Sequence, residues 1–96
     1  MYQLRDYSEE VMCKLDESHK VASRSGLHFV NLFWVDPWGM LSNKDGYFPE
    51  KDDANWYADK MFDRCVNLKL EDFTDIAVYV DGVQYKHTKK EVIEYA

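Results

Sequence analysis

The residues with the strongest claim to chemistry in this 96-residue chain cluster around one tryptophan: Glu50, Asp52, Asp53, Trp56, Asp59 and Asp63. At about 100° per residue, a helix through this stretch gathers Asp52, Asp59 and Asp63 on one side with Trp56 among them. Ala54, Ala58, Met61, Phe62 and Cys65 fall on the opposite side. A rise of about 1.5 Å per residue spreads those carboxylates along roughly 16 Å, with Asp45, Glu50 and Asp53 just before or beside them. An indole that can be desolvated inside a rim of charge is the composition of a protein-binding hot spot, here suited to a basic partner. The competing expectation is a solvated acidic helix face, with Trp56 turned sideways over a loop or the sheet edge.

A second candidate is Trp38, at the third position of the turn Asp36-Pro37-Trp38-Gly39, where its side chain should project outward. Trp34 and the pair Tyr47-Phe48 are expected at the same end of that hairpin, as a binding loop or as rings folded over the sheet edge. Lys86, His87, Lys89 and Lys90 form a small basic patch, which reads as a solubilising surface more readily than as a phosphate contact.

Catalytic chemistry is poorly supported. His19, His28 and His87 sit in different elements, no Cys/His spacing resembles a closed zinc set, and no Gly-rich phosphate loop is present. The expectation is therefore no enzymatic activity, no metal and no cofactor.

Charge narrows the class of partner. Asp and Glu number 18 against 12 Lys and Arg, a formal charge of -6, which opposes binding to nucleic acid or anionic membrane through general charge. All of it belongs to residues 36–81, with eleven acids and five bases; the rest carries seven of each. Such a field speeds encounter with a basic partner, and it could also imitate nucleic-acid phosphate. Cys13 and Cys65, set among apolar residues, read as core thiols in a reducing, cytoplasmic compartment. No basic segment leads into an apolar run near Met1, and no stretch approaches the roughly 18 apolar residues of a membrane span. A protein neither secreted nor membrane-spanning is expected.

The elements that must position these groups follow from periodicity and turn chemistry. Ser8 is the expected cap of a first helix with apolar positions Val11, Leu15 and Ala22, broadened by Met12 and Cys13 and stopped by Gly26. Leu27 to Val35 reads as a central strand apolar on both faces, with Asn31 its one polar exception. Met40, Leu41 and Ser42 would form a short return strand, followed by a second turn at Asn43-Lys44-Asp45-Gly46. The second helix is expected from about Asp52 to Leu68. Asp81-Gly82 then marks a tight hairpin between Ile76–Val80 and Val83–His87. Its register should pair Val80 with Val83 and Val78 with Tyr85. That places Ile76, Val78, Val80, Val83 and Tyr85 on one buried face and Ala77, Tyr79, Gln84 and Lys86 on the other. Thr88-Lys89-Lys90-Glu91 resembles a capping box for a short last helix.

These elements predict a single α+β domain over residues 1–96, an antiparallel sheet of about four strands with three helices in the order α-β-β-α-β-β-α. As a type, an acidic, aromatic-rich chain without catalytic motifs resembles small regulatory or inhibitory proteins, including those that phages and mobile elements use to block host machinery. The leading functional expectation is a non-enzymatic binder that occludes a basic protein surface with the Trp56 helix and the Trp38 loop. A structural subunit or homodimer, burying its exposed rings in an interface, and a small enzyme are the alternatives.

Overall fold

The computed structural model describes residues 2–67 and 72–89. A 3-10 turn, Leu4–Tyr7, leads into helix α1, Ser8–Ser25. Strands β1, His28–Val35, and β2, Leu41–Phe48, precede helix α2, Lys51–Val66; strands β3, Asp75–Val80, and β4, Val83–Lys89, follow it. The strands make one antiparallel sheet in the order β2-β1-β3-β4. The two hairpins therefore share a sheet, joined where β1 pairs with β3 from Val30 opposite Val80 to Val35 opposite Asp75. This is the expected α+β architecture, with two α-helices among the described residues. The expected third helix lies outside them except for Thr88 and Lys89, which instead extend β4.

β1 dictates the layering, because alternate side chains of a strand point to opposite faces. Val30 and Leu32 join Ile76, Val78 and Val80 beneath Ala54, Ala58 and Cys65 of α2. Phe33 faces the other way, onto Val11 and Leu15 of α1. One helix thus covers each face of a central strand that is apolar on both sides. Among the described residues no helix is long and apolar enough to cross a membrane.

The chain reversals follow local chemistry. Gly26, at φ 66°, ends α1 in the left-handed conformation. The Gly39 amide donates to the Asp36 carbonyl at 3.0 Å, while Asp36 Oδ1 accepts from the amides of Trp38 and Met40, each at 2.9 Å. Asp81 at φ 52° and Gly82 at φ 82° supply the two positive angles of the β3–β4 turn.

Four local expectations are corrected. Asn43-Lys44-Asp45-Gly46 is not a turn: it lies within β2, whose residues pair one for one with β1 from Leu41 opposite Val35 to Phe48 opposite His28. The polar run is tolerated because β2 is an edge strand. Gly46 is there for close approach, since a Cβ at that position would stand 2.9 Å from the rings of both Phe48 and Tyr57. In the second hairpin, Val80 pairs with Val83 as expected, but an irregularity between Val78 and Tyr79 sets Val78 against Lys86. Tyr85 is left without a ladder partner and is 41% exposed, while Val83 keeps its pairing but lies on the edge strand β4 and is 69% exposed, so neither is core. Ser8 is the first residue of α1 and provides no side-chain cap. The Gln3 amide donates instead to Asp6 Oδ2 at 2.9 Å, closing the preceding 3-10 turn. Finally, α1 buries a narrow stripe of Val11, Leu15, Ser18 and Ala22, so Met12 and Cys13 point outward and only Cys65 is a buried thiol.

Candidate functional site

The outer side of α2 carries the residues singled out by the sequence. Its inner side is saturated by the sheet, with Ala54 and Ala58 fully buried, and this turns Trp56 outward to 61% exposure. Glu50, Asp52, Asp53 and Asp63 are exposed as well. Asp52 and Asp53 stand four and three residues before Trp56 and so flank its ring on the helix surface. The Lys60 ammonium lies 5.9 Å from the indole centroid.

The acidic row is nonetheless shorter than the stripe in the sequence. Asp59 accepts from Lys86 Nζ at 2.6 Å and from the Tyr85 hydroxyl at 3.3 Å. That hydrogen bond, more than the carboxylate's charge at a distance, raises the Lys86 pKa above its ordinary value. Asp63 accepts from the Asn67 side-chain amide. Glu50, Asp52 and Asp53 have no ion-pair partner among the described residues, and they lie at the positive end of α2, where carboxylates are favoured. The Asp59–Lys86 pair therefore splits the acidic surface, leaving Glu50, Asp52 and Asp53 at the start of the helix and Asp63, still charged, beyond the pair.

Other acids of the middle segment are spent on structure. Asp45 lies 3.7 Å from Lys14 Nζ and accepts from Asn31 Nδ2 at 2.9 Å. Asp81 receives Lys51 Nζ at 2.6 Å, His28 Nδ1 at 2.9 Å and the Phe29 amide at 3.0 Å. Burial pushes its carboxyl up, but these hydrogen bonds together outweigh that and hold its pKa at about 2. This carboxylate ties the β3–β4 turn to the start of β1 and of α2.

Trp38 projects from its turn at 79% exposure, as its position predicts. Met40 and Tyr2 are exposed beside it, 66% and 53%. The turn is braced, because the Tyr2 ring packs so closely that a Cβ on Gly39 would come within 2.6 Å of it, and the Tyr7 hydroxyl donates to the Gly39 carbonyl. Of the other rings expected here, Trp34 lies at this end of β1, opposite Ser42, but packs on the α2-side core, whereas Tyr47 and Phe48 sit opposite Phe29 and His28 at the far end of β1. Since α2 begins at that far end, about 25 Å of strand separates the Trp38 tip from the start of α2. The structure does not bring Trp38 and Trp56 into one patch.

The expected basic patch is also divided. Lys86 faces α2, whereas His87 and Lys89 face the α1 side, with Lys90 outside the described residues. There His87 Nε2 donates to Asp75 Oδ1 at 2.6 Å, and the Leu4 amide donates to Asp75 Oδ2 at 2.7 Å. Asp75 is 4% exposed. Tyr79 lies along the same surface, its phenol pKa raised by burial first and by Asp75 second. The sequence reading missed this pairing because it started β3 at Ile76. The Asp81-Gly82 turn contained the signal, since extending its register by a few residues brings Asp75 to the level of residues 87–89.

Among the described residues no group of three or more His, Cys, Asp or Glu side chains could hold a metal ion. No family model matches the chain, and neither a curated protein nor a solved structure was found to be similar to it.

Proposed function

We propose that this protein is a non-enzymatic binding module that seats the N-terminal half of α2 on a basic protein surface and occludes it. The observation that carries this reading is the exposure of Trp56 on a helix whose other side is fully engaged, one turn from the carboxylates of Asp52 and Asp53, which have no ion-pair partner among the described residues. A large exposed ring contributes little to folding, and inside a charged rim it becomes an anchor on association. Imitation of a phosphate backbone finds less support, because the pairing of Asp59 with Lys86 interrupts the acid row. The exposed thiol of Cys13 suits a reducing, cytoplasmic setting.

The test is capture from a lysate of the source or host cell with wild-type protein, Trp56→Ala, and a Glu50→Gln/Asp52→Asn/Asp53→Asn variant. A basic protein that is released by salt and lost from both variants is expected, with the melting temperature of Trp56→Ala within about 2 °C of wild type. Equal capture by all three proteins, or a drop of many degrees on losing Trp56, would overturn the proposal.

A second reading, a subunit or homodimer, rests on the separate cluster of Trp38, Met40 and Tyr2 on a braced turn. Sedimentation of wild type and Trp38→Ser discriminates it. Self-association that Trp38→Ser abolishes would favour this reading, and a monomer at every concentration would remove it.

A further inference from the structure

The sheet is wider than the helix that covers one of its faces. Four strands at about 4.8 Å spacing outspan a helix about 10 Å across. α1 packs on β1, and toward β3 and β4 the same face opens into a groove of about 340 Å³. One wall is apolar, from Leu4, Val11 and Met12, and the floor and far wall include Asp75, Tyr79, His87 and Lys89. This volume is at the small end of ligand pockets, about 300–1,000 Å³. A single ring or a short chain would fill it.

The charges along the groove differ in sign from the rest of the molecule. The chain has 18 acids against 12 bases, yet among the described residues the groove is lined by Arg5 and Lys89 and by one acid, Asp75. That acid is already committed, since it is 4% exposed and accepts from both His87 and the Leu4 amide. A carboxylate can only accept, so His87 Nε2 carries the hydrogen. This fixes the ring's orientation, and Nδ1 has no partner among the described residues. The Tyr79 hydroxyl adds a potential donor close by.

We propose that this groove binds a small organic anion, a carboxylate or phosphate monoester whose charge is met by Arg5 and Lys89 and whose apolar body lies along Leu4, Val11 and Met12. Asp75 acts as a positioning residue: it holds His87 at the groove's edge and clamps the backbone of Leu4, the residue before Arg5. The site lies across the sheet from Trp56 and is independent of the binding proposed for α2.

The test is a two-dimensional NMR titration of the full chain with benzoate, phenyl phosphate, inorganic phosphate, benzylamine and benzyl alcohol. Saturable shifts of the Arg5, Tyr79, His87 and Lys89 amides are expected with benzoate or phenyl phosphate. The tighter of the two identifies the anion class. Arg5→Gln/Lys89→Gln should weaken that binding about tenfold or more, without moving the melting temperature, because both side chains are exposed. Asp75→Asn should weaken it while shifting the His87 ring resonances, a readout that general loosening of the fold would not confine to that ring. Equal binding of benzylamine or benzyl alcohol would show only an apolar surface, and equal binding of inorganic phosphate would remove the role of the apolar wall. Shifts that survive in Arg5→Gln/Lys89→Gln, or no saturable shift by any anion, would overturn the assignment.

Discussion

The two faces of the sheet are built differently, although each is covered by one helix. Against α2 the contact is an apolar, continuous cluster, and small residues at Ala54, Ala58 and Gly46 let helix and strands approach closely. Against α1 the apolar contact is a smaller cluster around Val11, Leu15 and Phe33. Polar joints complete that face: Asn31, fully buried, donates from Nδ2 to Ser18 Oγ at 2.9 Å and to Asp45, while Asp75 clamps His87 and the N-terminal turn. A helix with a saturated inner side has only its outer side to offer a partner. A helix that covers part of a face leaves the sheet surface itself available, and the groove is there.

That contrast predicts unequal costs for equivalent truncations. Val78→Ala, on the α2 face, should lose about 3 kcal/mol in chemical denaturation, whereas Val11→Ala, on the α1 face, should lose about 1–2 kcal/mol. Similar losses at both positions would make α1 as much a part of the core as α2 and break the comparison. Next in size is Gly46→Ala, which forces a Cβ against the Phe48 and Tyr57 rings; about 1–3 kcal/mol is expected. A neutral outcome would show that α2 can shift outward without cost.

The smallest effect is at Asp81, where the β3–β4 turn meets the start of α2. Its folded pKa, about 2, is below its ordinary 3.8. Its contribution is therefore fully present above about pH 4 and is lost as pH falls through about 2. Asp81→Asn should be less stable at neutral pH by about 1 kcal/mol, a value limited by the carboxylate's partial exposure. The difference from wild type should close toward pH 2 in thermal melts. A constant difference across that range would mean that the charge contributes nothing beyond its hydrogen bonds.

The sequence was most informative where a single residue type answers a local constraint. Gly26, the Asp36-Pro37-Trp38-Gly39 turn and Asp81-Gly82 were legible because positive φ angles and Asx geometry admit few residues. It misled at Asn43 to Gly46, where turn-forming residues serve an edge strand. It misled again at Tyr85, which an irregularity drops from the ladder, and at Val83, which keeps its register but sits on an edge strand. The helical period set Trp56 opposite Ala54 and Ala58, but whether its ring would stand free or turn over a loop was decided only by the packing, which leaves it 61% exposed. The pairing of Asp59 with Lys86 was not readable, because its partner arrives from a strand distant in sequence.

By itself, then, the chain determined helices α1 and α2, the turns at Gly26, Asp36–Gly39 and Asp81-Gly82, and the doubly buried central strand, all properties of residues within a few positions of each other. The tertiary structure alone decided the strand order, the placement of one helix on each face, which acids stay unpaired, and the groove beside Asp75 and His87. Those depend on the relative width of helix and sheet and on contacts between residues up to 72 positions apart, such as Tyr2 with Thr74, and no local pattern encodes them.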